Sequence, residues 1–168
     1  MSHDIQSPVT ALLNNQGVEY KVIEIPFSED KKPIRNLESL LQCQGLDPQS
    51  VVRSVVFKTA SEQFVLLAVA GGGRADWAVL RAHLNERKCR MAEYDEVKQS
   101  TGYVVGAVPP VALPKSIKVL VDRSVANYET VVIGSGVLGF ALSLKGSDLL
   151  RLLEAAETDE FTRHEDAS

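Results

Sequence analysis

The chain is 168 residues long, 45% apolar and 24% charged, with a formal net charge of −4, ordinary values for a single soluble globular domain. No run approaches the roughly 18 uncharged residues of a membrane helix, and the opening MSHDIQSPVT lacks a basic segment followed by an apolar core, so no signal peptide is expected. Cys43 and Cys89 are too few and too scattered for a disulfide framework or a zinc site, which points to a cytoplasmic protein with reduced thiols.

Ser7-Pro8 reads as the cap and first residue of a helix stopped by Gly17. A strand follows at Val18–Ile25, then a polar loop, then a helix over Ile34–Gln44 whose apolar side holds Ile34, Leu37 and Leu41. After the turn Leu46-Asp47-Pro48, Val51–Lys58 and Gln63–Ala70 form two apolar strands that hardly alternate, as expected of a central hairpin buried on both faces. Gly71-Gly72-Gly73 is a flexible point; it lacks the lysine and hydroxyl spacing of a phosphate-binding loop and reads as a strand-to-helix turn. Asp76 caps the next helix, with Trp77, Leu80 and Leu84 toward the core. A short strand at Lys88–Met91 and a helix at Glu93–Ser100 precede GYVVGAVPPVALPKSIKVLVD, Gly102–Asp122. Strands are expected at Lys118–Val121, Thr130–Ile133 and Phe140–Leu144, with the glycine-rich turn Gly134–Gly139 between the last two. Ser147 caps a last helix, Asp148–Ala156. The boundaries are one domain over 1–156 and an acidic, disordered tail over 157–168. Intermixed helices and hairpin-like strand pairs make the fold class α+β, with a mixed or antiparallel sheet.

Charge is uneven. Arg151–Ser168 holds six acids and two bases, leaving residues 1–150 neutral with 16 of each sign. The stretch Arg74–Arg90 carries five bases and two acids. Such a patch meets phosphates, or is a solvated helix face. The usual catalytic sets are missing. His3 and His164 lie near the termini, His83 falls within a helix, and no histidine pair has metal-ligand spacing. Gly134-Ser135-Gly136 has the wrong spacing for a nucleophile elbow. Cys89 sits beside Lys88 and Arg90, which can lower a thiol's pKa, though a buried or merely surface cysteine is the commoner outcome. Either the protein binds without catalysis, or its reaction needs little from side chains.

Four segments in order, LDPQSVVRSVVF (Leu46–Phe57), TGYVVGAVPP (Thr101–Pro110), KVLVD (Lys118–Asp122) and VIGSGVLGFALSL (Val132–Leu144), resemble the YbaK/EbsC family. That family includes the inserted editing domain of bacterial prolyl-tRNA synthetases. The resemblance spans about residues 5–155. It implies a mixed, largely antiparallel curved sheet flanked by helices, with a single pocket. It implies hydrolysis of the ester joining a wrong amino acid to the terminal adenosine of a tRNA, usually a proline tRNA, by a free-standing domain.

An aminoacyl ester is already activated, so an enzyme need only hold it, place a water and stabilise the oxyanion. In the Gly-x-x-x-Pro motif, Gly106 to Pro110, the glycine offers its backbone to the ester and Pro109-Pro110 stiffen it; the alternative is a plain turn. The family's lysine position holds Arg53, followed by Ser54. Lys58 lies five residues on, and an odd offset puts the two on opposite faces of a strand; register favours Arg53. An arginine stays protonated and anchors rather than acting as a base. Relatives that act on cysteine carry an aspartate where this chain has Ala141, so the pocket is expected to be less polar, taking a small residue such as alanine or cysteine.

The site expected from this resemblance is Gly106 and Arg53 for catalysis, with Pro110, Gly134, Ser135, Gly136 and Ala141 against the substrate. Arg74, Arg81, Arg87 and Lys88 are the tRNA-contact candidates at the pocket rim. No cofactor or metal is implied. The partners expected are the aminoacylated tRNA end and prolyl-tRNA synthetase, with no membrane. Two other readings stay open: a non-catalytic nucleotide or aminoacyl-tRNA binding module, and hydrolysis of some other small ester.

Overall fold

A computed structural model describes residues 5–24, 45–71, 74–105 and 107–163. The expected helix over Ile34–Gln44 lies outside them. Helix α1 (Pro8–Asn15) opens with a reciprocal cap. The Ser7 hydroxyl accepts from the Thr10 amide at 3.2 Å, and Thr10 Oγ1 accepts from the Ser7 amide at 3.0 Å. Strand β1 (Tyr20–Glu24) pairs antiparallel with β8 (Phe140–Lys145), which pairs antiparallel with β7 (Thr130–Gly134). A second sheet runs in the order β5 (Cys89–Met91), β2 (Arg53–Thr59), β3 (Phe64–Val69), β6 (Lys118–Asp122) and β9 (Glu157–Asp159). Its first three strands are antiparallel, and β3–β6 and β6–β9 are parallel. A short ribbon joins β4 (Arg74–Ala75) to β10 (Thr162–Arg163). The architecture is mixed α+β, as the sequence indicates.

Strand β3 is buried from Val65 through Val69 because both faces of its sheet are covered. On one face Val65, Leu67 and Val69 pack with Phe57, Leu120 and Phe161 beneath Leu80 of α2 (Trp77–Leu84). On the other, Leu66 packs with Val56 and Ile117 beneath Val97 of α3 (Tyr94–Thr101). Ala68 and Val121 join the largest cluster, which ties α1, the three-stranded sheet and α4 (Gly146–Leu152) together through Leu13, Ile133, Leu142 and Leu149. Each such Leu or Phe contributes about 1.5–3 kcal/mol of burial, an upper figure.

Two expectations near the C-terminus are corrected. The last helix begins at Gly146, with Lys145 as its cap residue, and ends at Leu152. Gly146 fits there because its amide donates to Glu129 O at 2.7 Å, and a β-carbon on it would stand 2.3 Å from the carbonyl oxygen of Tyr128. The expected boundary at 156 falls inside the fold. Strand β9 extends the sheet, Phe161 is 0% exposed, and β10 closes on β4. The buried carboxylate of Asp122 holds this segment, accepting from the Phe161 amide at 2.7 Å and from Thr162 Oγ1 at 3.2 Å. Residues 164–168 lie outside the described residues. No described helix is long and apolar enough to cross a membrane.

Candidate active site

A cavity of about 310 Å³ opens on the α3 side of the five-stranded sheet, beside the three-stranded sheet. Its wall is Val52, Arg53, Ser54 and Val56 from β2 and its approach, Ala92 and Val97 at and before α3, and Val132, Ile133, Gly134, Phe140 and Ala141 from β7 and β8. Val51, Met91, Tyr94, Val105 and Val108 also line it. Among the described lining residues, only Arg53 and Tyr94 carry an ionisable group.

Arg53 opens β2 as an exposed residue on the cavity, and Lys58 does not line it. Alternation puts Lys58 on the same face as Ser54 and Val56, but four residues of strand carry it about 13 Å beyond Ser54. There its ammonium lies 3.6 Å from Glu96 Oε2 and 5.6 Å over the Phe64 ring. Ser54, which sequence reasoning treats only as Arg53's neighbour, has a buried hydroxyl with no hydrogen-bond partner among the described residues. A buried group left unsatisfied costs about 1–3 kcal/mol, which a ligand's polar atom can recover.

The proline-rich loop is braced from several sides. Helix α3 ends at Gly102, whose φ of 84° is left-handed. Thr101 Oγ1 donates to Val97 O at 2.6 Å and accepts from the Tyr103 amide at 3.0 Å. The Tyr103 hydroxyl donates across the loop to Ala112 O at 2.7 Å, and burial raises its pKa, keeping it a neutral donor. Ala107 donates to Val104 O at 3.0 Å and accepts from the Gly136 amide at 2.9 Å. Pro109 and Pro110 are buried. Gly106 lies outside the described residues; its neighbour Val105 lines the cavity and Ala107 is buried.

The glycine-rich turn divides into two roles. Gly134 and Ala141 line the cavity, and Ser135 and Gly136 do not. Ser135 is 0% exposed; its hydroxyl faces the carbonyls of Val137 at 2.9 Å and Phe140 at 2.8 Å and accepts from the Val137 amide. A β-carbon on Gly136 would stand 3.0 Å from the Tyr103 ring, at a φ of 85°. These two residues build the turn. Pro110 borders a second hollow of about 410 Å³ with Leu113 and Leu153 instead.

The basic stretch is split. Arg74 lies in β4, and Arg81 belongs to α2, which packs on the sheet face opposite the cavity. Arg87 and Lys88 are exposed in the turn before β5. Only the end of the stretch approaches the cavity, where Arg90 precedes Met91 and forks onto Glu96 at 2.7 and 2.9 Å. That fork, with the Glu93 amide, pulls the Glu96 carboxyl down to about 2. The Cys89 thiol is pushed up by burial and then by Glu86, against the effect of Arg81, so it is not an activated nucleophile. Of the glycine triplet, Gly71 makes a turn at φ 77°, its amide donating to Gln49 O at 2.9 Å; the other two lie outside the described residues. No three described His, Cys, Asp or Glu side chains gather as a metal site.

A crystal structure of a candidate trans-editing enzyme for prolyl tRNA synthetase superposes with a TM-score of 0.76 at 23% identity, covering 96% of this chain and 100% of that one. The hypothetical protein APE2540 matches with a TM-score of 0.75, covering 91% and 98%. The chain belongs to the aminoacyl-tRNA editing domain family, which matches residues 31–152, and its class is aminoacyl-tRNA editing. The Ser/Thr-tRNA deacylase ProXp-y of Escherichia coli K12 is 24% identical over 148 residues, 86% of this chain and 85% of that protein. A proline–tRNA ligase of Thermotoga maritima is 26% identical over 129 residues, 72% of this chain. The chain spans 22% of that ligase's length. The YbaK/EbsC resemblance of the four segments is borne out.

Proposed function

We propose that the chain hydrolyses the ester of a mischarged proline tRNA carrying a small amino acid such as alanine or cysteine. The observation that carries this reading is the cavity itself. Arg53 and the proline loop border one small chamber whose inner wall is Val56, Val97, Val132, Ile133 and Ala141. Such a wall admits a small apolar side chain and offers no carboxylate to a charged or strongly polar one.

In this mechanism Arg53 stays protonated and anchors the terminal nucleotide beside the reacting carbonyl. The backbone at Gly106 receives the oxyanion as a water attacks the carbonyl carbon. The ester carbon–oxygen bond breaks, the ribose oxygen takes a proton, and the free amino acid leaves. The substrate's neighbouring ribose hydroxyl helps position the water. With no base among the described lining residues, this reading gives the catalytic work to holding and polarising an activated ester. That same lack is what favours the alternative, a binding module using this cavity without catalysis. Prolyl-tRNA synthetase is the partner in this reading, since a neutral core with a divided basic stretch gives little tRNA affinity of its own.

The test is a deacylation panel of proline tRNA charged with alanine, cysteine, serine, threonine or proline, using wild type and Gly106→Val. Loss of one mischarged species, slowed on the order of 100-fold by the valine, establishes editing and names the substrate. No release from any of them, with the circular dichroism spectrum intact, supports the binding module or a different tRNA.

A further inference from the structure

Among the described residues six large apolar side chains are exposed, and three of them, Met91 at 54%, Tyr94 at 78% and Val105 at 39%, line the mouth of this one cavity. Val104, beside Val105, is a fourth at 40%. Scattered exposed apolar residues are ordinary, but their convergence around a cavity marks a contact surface. Tyr94 is the most exposed of them. Its ring has no stacking or hydrogen-bond partner among the described residues, so none of them accounts for an aromatic side chain there.

We infer that Tyr94 is the stacking platform for the terminal adenine of the substrate, with Met91 and Val105 as apolar lips on either side. This rests on the editing reading above and adds to it a base-binding subsite. Three observations choose this occupant. First, the lip is continuous with the cavity, so an aminoacyl group seated inside leaves its ribose at the mouth and its base over the rim. Second, the ring's own neighbours in sequence are acidic. Glu93, Asp95 and Glu96 flank it at the start of α3, and Arg90 and Lys58 are both engaged by Glu96. A flat, neutral heterocycle suits the ring, and the nucleotide's phosphate is left to Arg53, which lines the same cavity. Third, a base stacks on an aromatic ring whatever its sequence context, a contact that needs no cation.

The experiment uses the full chain in two arms. In the first, adenosine 5′-monophosphate is titrated while the Tyr94 ring signals, assigned by comparison with Tyr94→Phe, are followed by NMR. An upfield, saturable shift is expected; no shift at millimolar nucleotide overturns the inference. In the second, single-turnover deacylation of the species that wild type cleaves best is compared for wild type, Tyr94→Phe and Tyr94→Ala. The alanine should raise the half-saturating tRNA concentration on the order of 10-fold, with the maximal rate little changed and Tyr94→Phe close to wild type. An unchanged Tyr94→Ala, or a Tyr94→Phe as impaired as the alanine, overturns the stacking role. If wild type cleaves nothing but the ring still shifts with nucleotide, the editing reading fails and the base subsite stands.

Discussion

Gly134 lies so close to Val108 that a β-carbon on it would stand 2.4 Å from the Val108 carbonyl oxygen and 2.9 Å from that of Ala107. The end of β7 is thus seated on the backbone that follows Gly106. Together with the Gly136 amide bonded to Ala107 O at 2.9 Å, it fixes the proline loop against the cavity. Gly134→Ala should therefore displace the loop. The expected cost is about 1–3 kcal/mol in thermal unfolding, with a loss of deacylation beyond what the unfolded fraction explains. Unchanged stability and activity would show that the loop tolerates the shift.

The C-terminal segment gives a second prediction. Phe161 is 0% exposed, packs edge-on to His83 at 4.9 Å between ring centroids, and its amide is held by Asp122. Phe161→Ala should cost about 3–5 kcal/mol, measured by denaturant unfolding. A disordered tail would give a change near zero.

This segment also shows what the sequence conceals. The central strands were legible because β3 is buried on both faces and its apolar run says so. The proline loop was legible because Pro109 and Pro110 stiffen it in any context. The tail was not, since Glu157, Asp159 and Glu160 give it an acidic composition, and one phenylalanine carries the burial. Its order depends on Asp122, some 40 residues upstream in the chain. The site divides in the same way. Arg53 and Ala141, expected from their places in the four segments, both line the cavity. Ser135 and Gly136, expected against the substrate from the resemblance, do not line the cavity and instead contact Tyr103 and β8. Tyr94 left little signal, being one aromatic in an acidic helical start, where only three-dimensional position reveals the cavity mouth.

The Arg90–Glu96–Lys58 cluster predicts an acid-sensitive contact. Glu96 titrates at about 2 in the fold against an ordinary 4.5, chiefly through the Arg90 fork and the Glu93 amide. A lowered carboxyl contributes stability that is fully present above the unfolded value and is lost as pH falls toward the folded one. The stability gap between wild type and Glu96→Gln should thus be constant at neutral pH and close between about pH 4.5 and about pH 2. Denaturant midpoints across that range check it. A gap independent of pH would mean the charge is not what Glu96 supplies.

Ser54 separates a role in folding from a role in binding. Its hydroxyl is buried in the cavity wall without a partner among the described residues, so by itself it is a cost to the fold. Removing an unsatisfied polar group is near neutral or stabilising, unlike removing one member of a bonded pair. Ser54→Ala should leave the melting temperature unchanged or slightly raised. If the hydroxyl bonds the substrate, the same change should weaken half-saturation in single-turnover deacylation by about 5- to 10-fold, the equivalent of one hydrogen bond, and Ser54→Thr should restore it. A lower melting temperature would show that the hydroxyl serves the fold. Unchanged kinetics with an unchanged melting temperature would place the substrate's polar atoms against Arg53 and the loop backbone alone.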